Sequence, residues 1–398
     1  MKRFLFTVHA VFALVGIANT MLGPLLPLLA QRWQLTDRQS GTLFFAQFFG
    51  GFAGAIISTR LAKYFSLHNI TRAGLWLIAA GVLGIATPSH LLAIVGITMV
   101  GFGLGLTNPS ITAAVAEAFP TRRASLLNLL NFAWALGAIT APMLILAALR
   151  HSHIQVFGML LIYAVILSIS AFLIPRISAS SFSQEMTQAK LPSGILRIVI
   201  ACGALLFLYV GIEVGISGWL PTFATRLHAF SLQRAALLQD TFWTTFLLGR
   251  LFAPAFLKVT GERVLLTLSI CLATAGTAAL LLLHLPIVLF ASVAMIGLGC
   301  AAIFPTAIAL LSQRLSGYSG STLGFMFASA GLGAAILPFS VGSLSSATHN
   351  LRIGMSLLLV AEIGLVIAHL VMSRLSSGAG NAQFDPAEQR AIATGSAQ

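Results

Sequence analysis

The sequence predicts an all-α membrane protein of twelve transmembrane helices, arranged as two pseudo-symmetric six-helix bundles. Three observations carry that prediction. Of the 398 residues, 58% are hydrophobic and 8% charged, with a mean hydropathy of +0.97, which leaves too little polar surface to cover a water-soluble globule. Apolar runs of the ~20 residues needed to cross a hydrocarbon core of about 30 Å recur from end to end. The two halves of the chain also repeat each other at an offset of 194 to 196 residues.

The opening MKRFLFTVHAVFALVG imitates a signal peptide, but the apolar run continues without a small-residue cleavage site, so the first span is placed at 4–30 and carries Asn19 and Thr20. The second, 39–62, contains Gln47. The third is 70–88. The fourth, 91–117, holds Gly101, Gly103 and Gly105, read as helix-packing glycines since no strand precedes them, followed by Asn108 before Pro109. Asn108 either lines a cavity or repairs the backbone bond that the proline removes. In the fifth, 123–149, Asn128, Asn131, Trp134 and Ala138 fall on one helical face. The sixth is 154–175.

The polar interval RISASSFSQEMTQAKLPSG, 176–194, reads as a linker between domains 1–175 and 195–374. Beyond it the seventh span, 195–225, contains Glu213 in YVGIEVGISGW, and the eighth, 233–257, contains Trp243, Thr244 and Thr245. The remaining spans are 263–284, 286–313, 319–346 and 351–373, the last with Glu362, expected to be a neutral hydrogen-bonded group. The tail 375–398 has the composition of disorder.

The repeat pairs Gly101 with Gly297, Gly103 with Gly299, Pro109 with Pro305, Gly137 with Gly333 and Pro142 with Pro338 at 196 residues. At 194 residues it pairs Pro27 with Pro221, Arg32 with Arg226 and Asn19 with Glu213. Parallel repeats of this kind build carriers whose site lies at the midplane between the halves. Glu213 lies about 24 Å along a helix from Arg197 and about 20 Å from Arg226, near the membrane midplane and opposite Asn19. Intramembrane polar groups are costly and usually face a cavity.

A net charge of +13 would suggest nucleic acid in a soluble protein. Here it reports topology, because sixteen of the 22 Lys and Arg residues fall on the side of the amino terminus. That asymmetry predicts a multi-pass membrane protein with both termini cytoplasmic. Cys202, Cys271 and Cys300 have neither disulfide nor zinc spacing. With no GxxxxGK[ST], no HExxH, no serine-nucleophile elbow and no catalytic carboxylate pair, an enzyme, a cofactor and a metal site are not expected.

Neutral amides and indoles suit a sugar: an amide both donates to and accepts from hydroxyls, and an indole covers the apolar face of a pyranose. The expected substrate contacts are Asn19, Gln47, Asn108, Asn131, Trp134, Glu213 and Trp243, with no cation at mid-depth. A carboxyl at the depth of Glu213 can pass between neutral and charged forms as its surroundings wet and dry, which makes it the expected proton-coupling residue.

The stretches GPLLPLLAQRWQLTDRQSGTLFFAQFFGGFAG, LTNPS, RASLLNLLNFAWALGA, YVGIEVGISGW and GLGCAAIFPT resemble the major facilitator superfamily, most closely its fucose permease branch of sugar:proton symporters and related bacterial hexose transporters. The resemblance covers the chain to about residue 374. It implies a major facilitator fold, cavity positions for Gln47, Asn131 and Glu213, and a cytoplasmic gate of Arg250 and Glu262 in GRLFAPAFLKVTGER. Two acidic positions of that branch are apolar here, Gly23 and Leu104, and its helix 7 glutamine is Glu213. STRLAKYFSLHNITR also lacks the usual aspartate of the superfamily's loop between helices 2 and 3. The function expected is import of a neutral hexose-like monosaccharide with a proton, by a monomer in the lipid bilayer of the bacterial inner (plasma) membrane, with no nucleic acid partner. The alternatives are a proton-coupled drug or metabolite efflux antiporter, a sugar uniporter, or a non-transporting sensor or lipid-handling protein.

Overall fold

The computed structural model describes residues 2–149, 153–174, 193–312 and 319–378. Its elements are α1 (Lys2–Thr20), α2 (Leu22–Trp33), α3 (Asp37–Leu61), α4 (Leu67–Ala86), α5 (His90–Ala118), a 3-10 turn (Pro120–Arg122), α6 (Arg123–Leu149), α7 (His153–Leu173), α8 (Ser193–Leu227), α9 (Leu232–Thr260), α10 (Glu262–Leu282), α11 (Pro286–Ser312), α12 (Ser319–Thr348) and α13 (Leu351–Gly378). Helices α1 and α2 together make the first of twelve spans. Eleven spans are long and apolar enough to cross a membrane on length and composition alone. The twelfth, α9, has 29 residues but carries Arg234, Asp240, Arg250 and Lys258. With α9 counted as a span, the start of α1 and the end of α13 lie on the same face, called here the basic face for its Lys and Arg residues.

Most of the expected linker, 176–192, and the tail beyond Gly378 lie outside the described residues. Residues 375–378, expected in the tail, belong to the last turn of α13.

Serine and threonine caps start many of these helices. Thr36 caps α3 in a capping box with Gln39, and Ser66, Ser89 and Ser231 accept from backbone N–H groups of α4, α5 and α9. The interruption at Met21 between α1 and α2 has a local cause: Pro24 has no N–H to offer the Thr20 carbonyl one turn back. That break places Asn19 and Thr20 where backbone and side-chain polar groups face an internal space.

The sequence repeat is a repeat of packing. A Cβ on Gly101 of α5 would strike the Gln47 carbonyl of α3, and one on Gly297 of α11 would strike the Phe242 carbonyl of α9. Likewise Gly137 of α6 lies against the Ala13 carbonyl of α1, and Gly333 of α12 against the Phe207 carbonyl of α8. Small residues let membrane helices approach at backbone distance, so each half needs glycine at the same crossing.

The halves meet along α3 with α12, α2 with α8, and α6 with α9. On the face opposite the basic one, Arg226 forms an ion pair with Asp37, whose second carboxylate oxygen accepts from the Ser345 hydroxyl at 2.6 Å. The Arg38 N–H donates to the Ser346 hydroxyl at 2.7 Å. Below this latch, Phe44 meets Trp219 and Phe45 meets Phe339 at ring-centroid distances of 5.9 and 5.8 Å. The Trp219 indole is fully buried and donates to the Pro338 carbonyl at 2.9 Å.

Candidate functional site

Beneath that seal lies a cavity of about 30 Å³ between the halves, lined by α1 and α2 (Asn19, Thr20, Gly23), α3 (Phe44, Gln47), α8 (Glu213, Ser217) and α9 (Gln239, Trp243). A space of this size holds a water or two, so a larger substrate needs the walls to part.

Gln47 is 3% exposed and donates its amide to the Asn19 carbonyl at 2.9 Å, beside the Pro24 break. Gly101 lets α5 press against the Gln47 backbone and so fixes its depth. From the other half, Gln239 donates to the Ser217 carbonyl at 2.9 Å, while its Oε1 has no partner among the described residues. Trp243, one turn further along α9, is 4% exposed, and its Nε1 also lacks a partner. The cavity therefore presents an unpaired acceptor and an unpaired donor on one face of α9. Each is an open hydrogen-bonding position in an interior where such groups are normally satisfied.

Glu213 is half-buried at the cavity wall. Tyr209 precedes it by one helical turn on the same face, is 1% exposed, and donates to the Cys300 carbonyl at 2.9 Å. Arg250 is the cation within electrostatic reach of Glu213. Its guanidinium lies over the Phe246 ring at 4.4 Å, and its Nε has no partner. Helix α9 continues to Thr260, about 15 Å along its axis beyond Arg250.

Asn19, Gln47, Glu213 and Trp243 of the expected contacts line the cavity. Trp134 stands behind it: its ring packs edge-on against Trp243 at 5.6 Å and 79°, an aromatic contact between the two halves. Asn131, one turn nearer the basic face, is exposed and does not line the cavity. Asn108 does not line it either: it lies on α5, with Oδ1 buried and unpartnered, and its carbonyl accepts from Thr112 at 2.8 Å. Glu262 opens α10. Glu362 is fully buried and accepts from Thr277 at 2.8 Å, as expected for a hydrogen-bonded carboxyl in the last span.

Sequence reasoning passed over Gln239, Ser217 and Asp240. Gln239 and Asp240 lie so near the start of the eighth span that they resemble interfacial residues. The signal available was the run Gln239, Trp243, Phe246 and Arg250, which places one polar and aromatic stripe on a single face of α9. Gln239 also explains one departure from the fucose permease pattern. A Cβ at Gly23 would come within 2.6 Å of the Gln239 amide nitrogen, so the place of the first-span acid is filled by an amide from the other half.

Known proteins resemble this chain over most of its length. The chain is 26% identical over 368 residues to the glucose/mannose transporter GlcP of Bacillus subtilis (strain 168), covering 87% of this chain and 89% of that one. It is 23% identical over 415 residues to sodium-dependent glucose transporter 1A of Mus musculus, covering 93% and 96%. Among solved structures, the Major Facilitator Superfamily transporter FucP in its outward conformation matches with a TM-score of 0.65 at 20% identity, over 93% of this chain and 98% of that one. The family profile described as Major Facilitator Superfamily matches residues 8–338. A twelve-span chain, repeated in two halves around one shared cavity and matched over most of its length by that profile, belongs to the Major Facilitator Superfamily and is a multi-pass transporter.

Proposed function

We propose that the protein imports a neutral hexose-like monosaccharide together with a proton by alternating access, with the basic face cytoplasmic. The observation that carries the reading is the cavity itself. Its polar lining is mostly neutral, with Asn19 and Gln47 on one side and the unpaired Gln239 Oε1 and Trp243 Nε1 on the other, beside the single carboxyl of Glu213. A pyranose offers donors, acceptors and an apolar ring face to match. The named sugar transporters among the relatives support the same substrate class.

In this reading the Asp37–Arg226–Ser345 latch closes the external side and the Trp134–Trp243 contact flanks the site. Sugar and proton enter after the latch opens, and the cavity empties toward the basic face when it closes again. Glu213 carries the proton, and Arg250 stands ready to compensate its charge after release. Arg250 and Glu262 belong to the cytoplasmic gate. The mouse relative's name raises sodium as a second coupling ion, which the coupling experiment separates.

The reading is tested by binding. Quenching of tryptophan fluorescence by a panel of hexoses, deoxyhexoses and apolar cations is expected to show saturable, hydroxyl-dependent binding of one or a few hexoses. Response to apolar cations and none to hexoses would replace this reading with drug efflux.

A further inference from the structure

Asp240 is an acid that the coupling scheme above does not use. It lies eight residues into α9 and is 7% exposed. Both of its carboxylate oxygens are buried without a hydrogen-bond partner among the described residues. The preceding residue, Gln239, reaches Ser217 and the Gly23 notch of the other half. The residue three positions on, Trp243, packs on Trp134 of that half. Asp240 therefore sits on the helix whose near neighbours touch α2 and α6, on the latched side of Trp243.

The charged groups of the helices packed on α9 are engaged or placed elsewhere. Arg226 of α8 is paired with Asp37, and Glu213 faces the cavity with Tyr209 and Arg250 around it. Arg32 of α2 lies over the Phe157 ring at 4.2 Å. Arg123 of α6, Arg197 of α8, and Glu262 and Arg263 of α10 stand near the basic-face ends of their helices. On α9 itself Arg234 is exposed in the first turn, and α11 carries the thiol of Cys300. A bare anion at Asp240 would be an uncompensated buried charge, which proteins avoid by neutralising the group or supplying a cation. A sodium ion needs several oxygens around it. A proton needs only one of the two Asp240 oxygens, both of which are closed to solvent and lack a hydrogen-bond partner among the described residues.

We infer that Asp240 is a second proton-binding carboxyl of the transport cycle, loaded when α2 and α6 part from α8 and α9 on the latched side, and sealed in its protonated form when they close. Glu213 meets the cavity in the closed-latch state while Asp240 is shut away from it, so the two carboxyls see water at different stages. The proton bound at Asp240 adds to its carboxylate oxygen and leaves by the same bond, with no other bond made or broken. This inference rests on the proton-coupled reading above.

The test uses the full-length protein in proteoliposomes with the hexose found by fluorescence. Two quantities are read: sugar counterflow, which needs no proton gradient, and sugar-induced proton movement reported by an internal pH dye. Asp240→Asn is expected to keep counterflow within about twofold of wild type and to lose about half of the sugar-induced proton movement, because Glu213 still carries its own proton. Wild-type proton movement in Asp240→Asn overturns the inference, and so does a wild type that moves sugar with sodium and no protons, a result that also removes the proton-coupled reading. The two failures are distinct, because only the second alters the wild-type trace. If Asp240→Asn does not reach the membrane, Asp240→Glu is read instead: a shifted pH midpoint of proton-driven uptake supports the role, and an unchanged midpoint overturns it.

Discussion

At the scale of single residues, the cavity is defined by atoms left without partners. Trp243 is the clearest case, because its ring is held by Trp134 and Phe246 whether or not its Nε1 finds an acceptor. Trp243→Phe is therefore expected to fold normally and to weaken hexose binding by about 0.5–1.5 kcal/mol, the net worth of one hydrogen bond. Fluorescence titration and a melting curve check both halves of that statement. His228, in the turn between α8 and α9, gives a pH dependence outside the membrane. Burial first, then Arg352 and His284, hold its imidazole below the ordinary 6.5. Between those two values the unfolded chain binds more protons than the folded one, so stability is complete above about pH 6.5 and falls as the pH drops through the folded value. Melting temperatures recorded from pH 8 to pH 5 are expected to decline less in His228→Asn than in wild type. Equal slopes would show that His228 plays no part in acid sensitivity.

At the scale of elements, the glycine crossings decide how near the paired helices come and hence where polar side chains emerge. Gly101→Ala forces a Cβ into the Gln47 carbonyl. Overpacking of this kind costs about 1–3 kcal/mol. It is expected to lower the melting temperature and to disturb sugar binding through Gln47, whereas Gly158→Ala, with open space at its Cβ, changes neither. These crossings are legible in the sequence, since the 196-residue offset pairs Gly101 with Gly297 and Gly137 with Gly333. Twelve spans were legible for the same reason: apolar length is a direct physical requirement of the bilayer. What the sequence hid was rotation about each helix axis. Asn108 and Asn131 look like cavity residues by type, yet neither lines the cavity, and Asn131 is exposed one turn nearer the basic face than Trp134. Gln239 looked interfacial, yet it spans the gap to α2 because glycine at position 23 leaves room for it.

At the scale of the whole molecule, the two halves are held closed on one side by a small number of polar contacts over an aromatic seal. The central ion pair is partly open to solvent, with the Arg226 side chain 42% exposed, so it contributes at most about 1 kcal/mol. Asp37→Asn is expected to shift the balance toward the state open on the latched side by no more than roughly fivefold, read as a change in spin-label distances between the start of α3 and the end of α12. Loss of membrane insertion instead would mark Asp37 as a folding residue. The latch was not legible in the sequence, because Asp37, Arg226 and Ser345 are joined only by the docking of the halves. Glu213 stood out at once, since a carboxyl in an apolar run needs a reason. The measurement that tests the central claim most directly is uptake of labelled hexose into proteoliposomes under an inward proton gradient, with wild type beside Glu213→Gln and a sodium gradient as the control. The account predicts that wild type accumulates sugar above equilibrium with protons while Glu213→Gln exchanges sugar without accumulating it. Accumulation by Glu213→Gln equal to wild type, or accumulation driven by sodium alone, would contradict it.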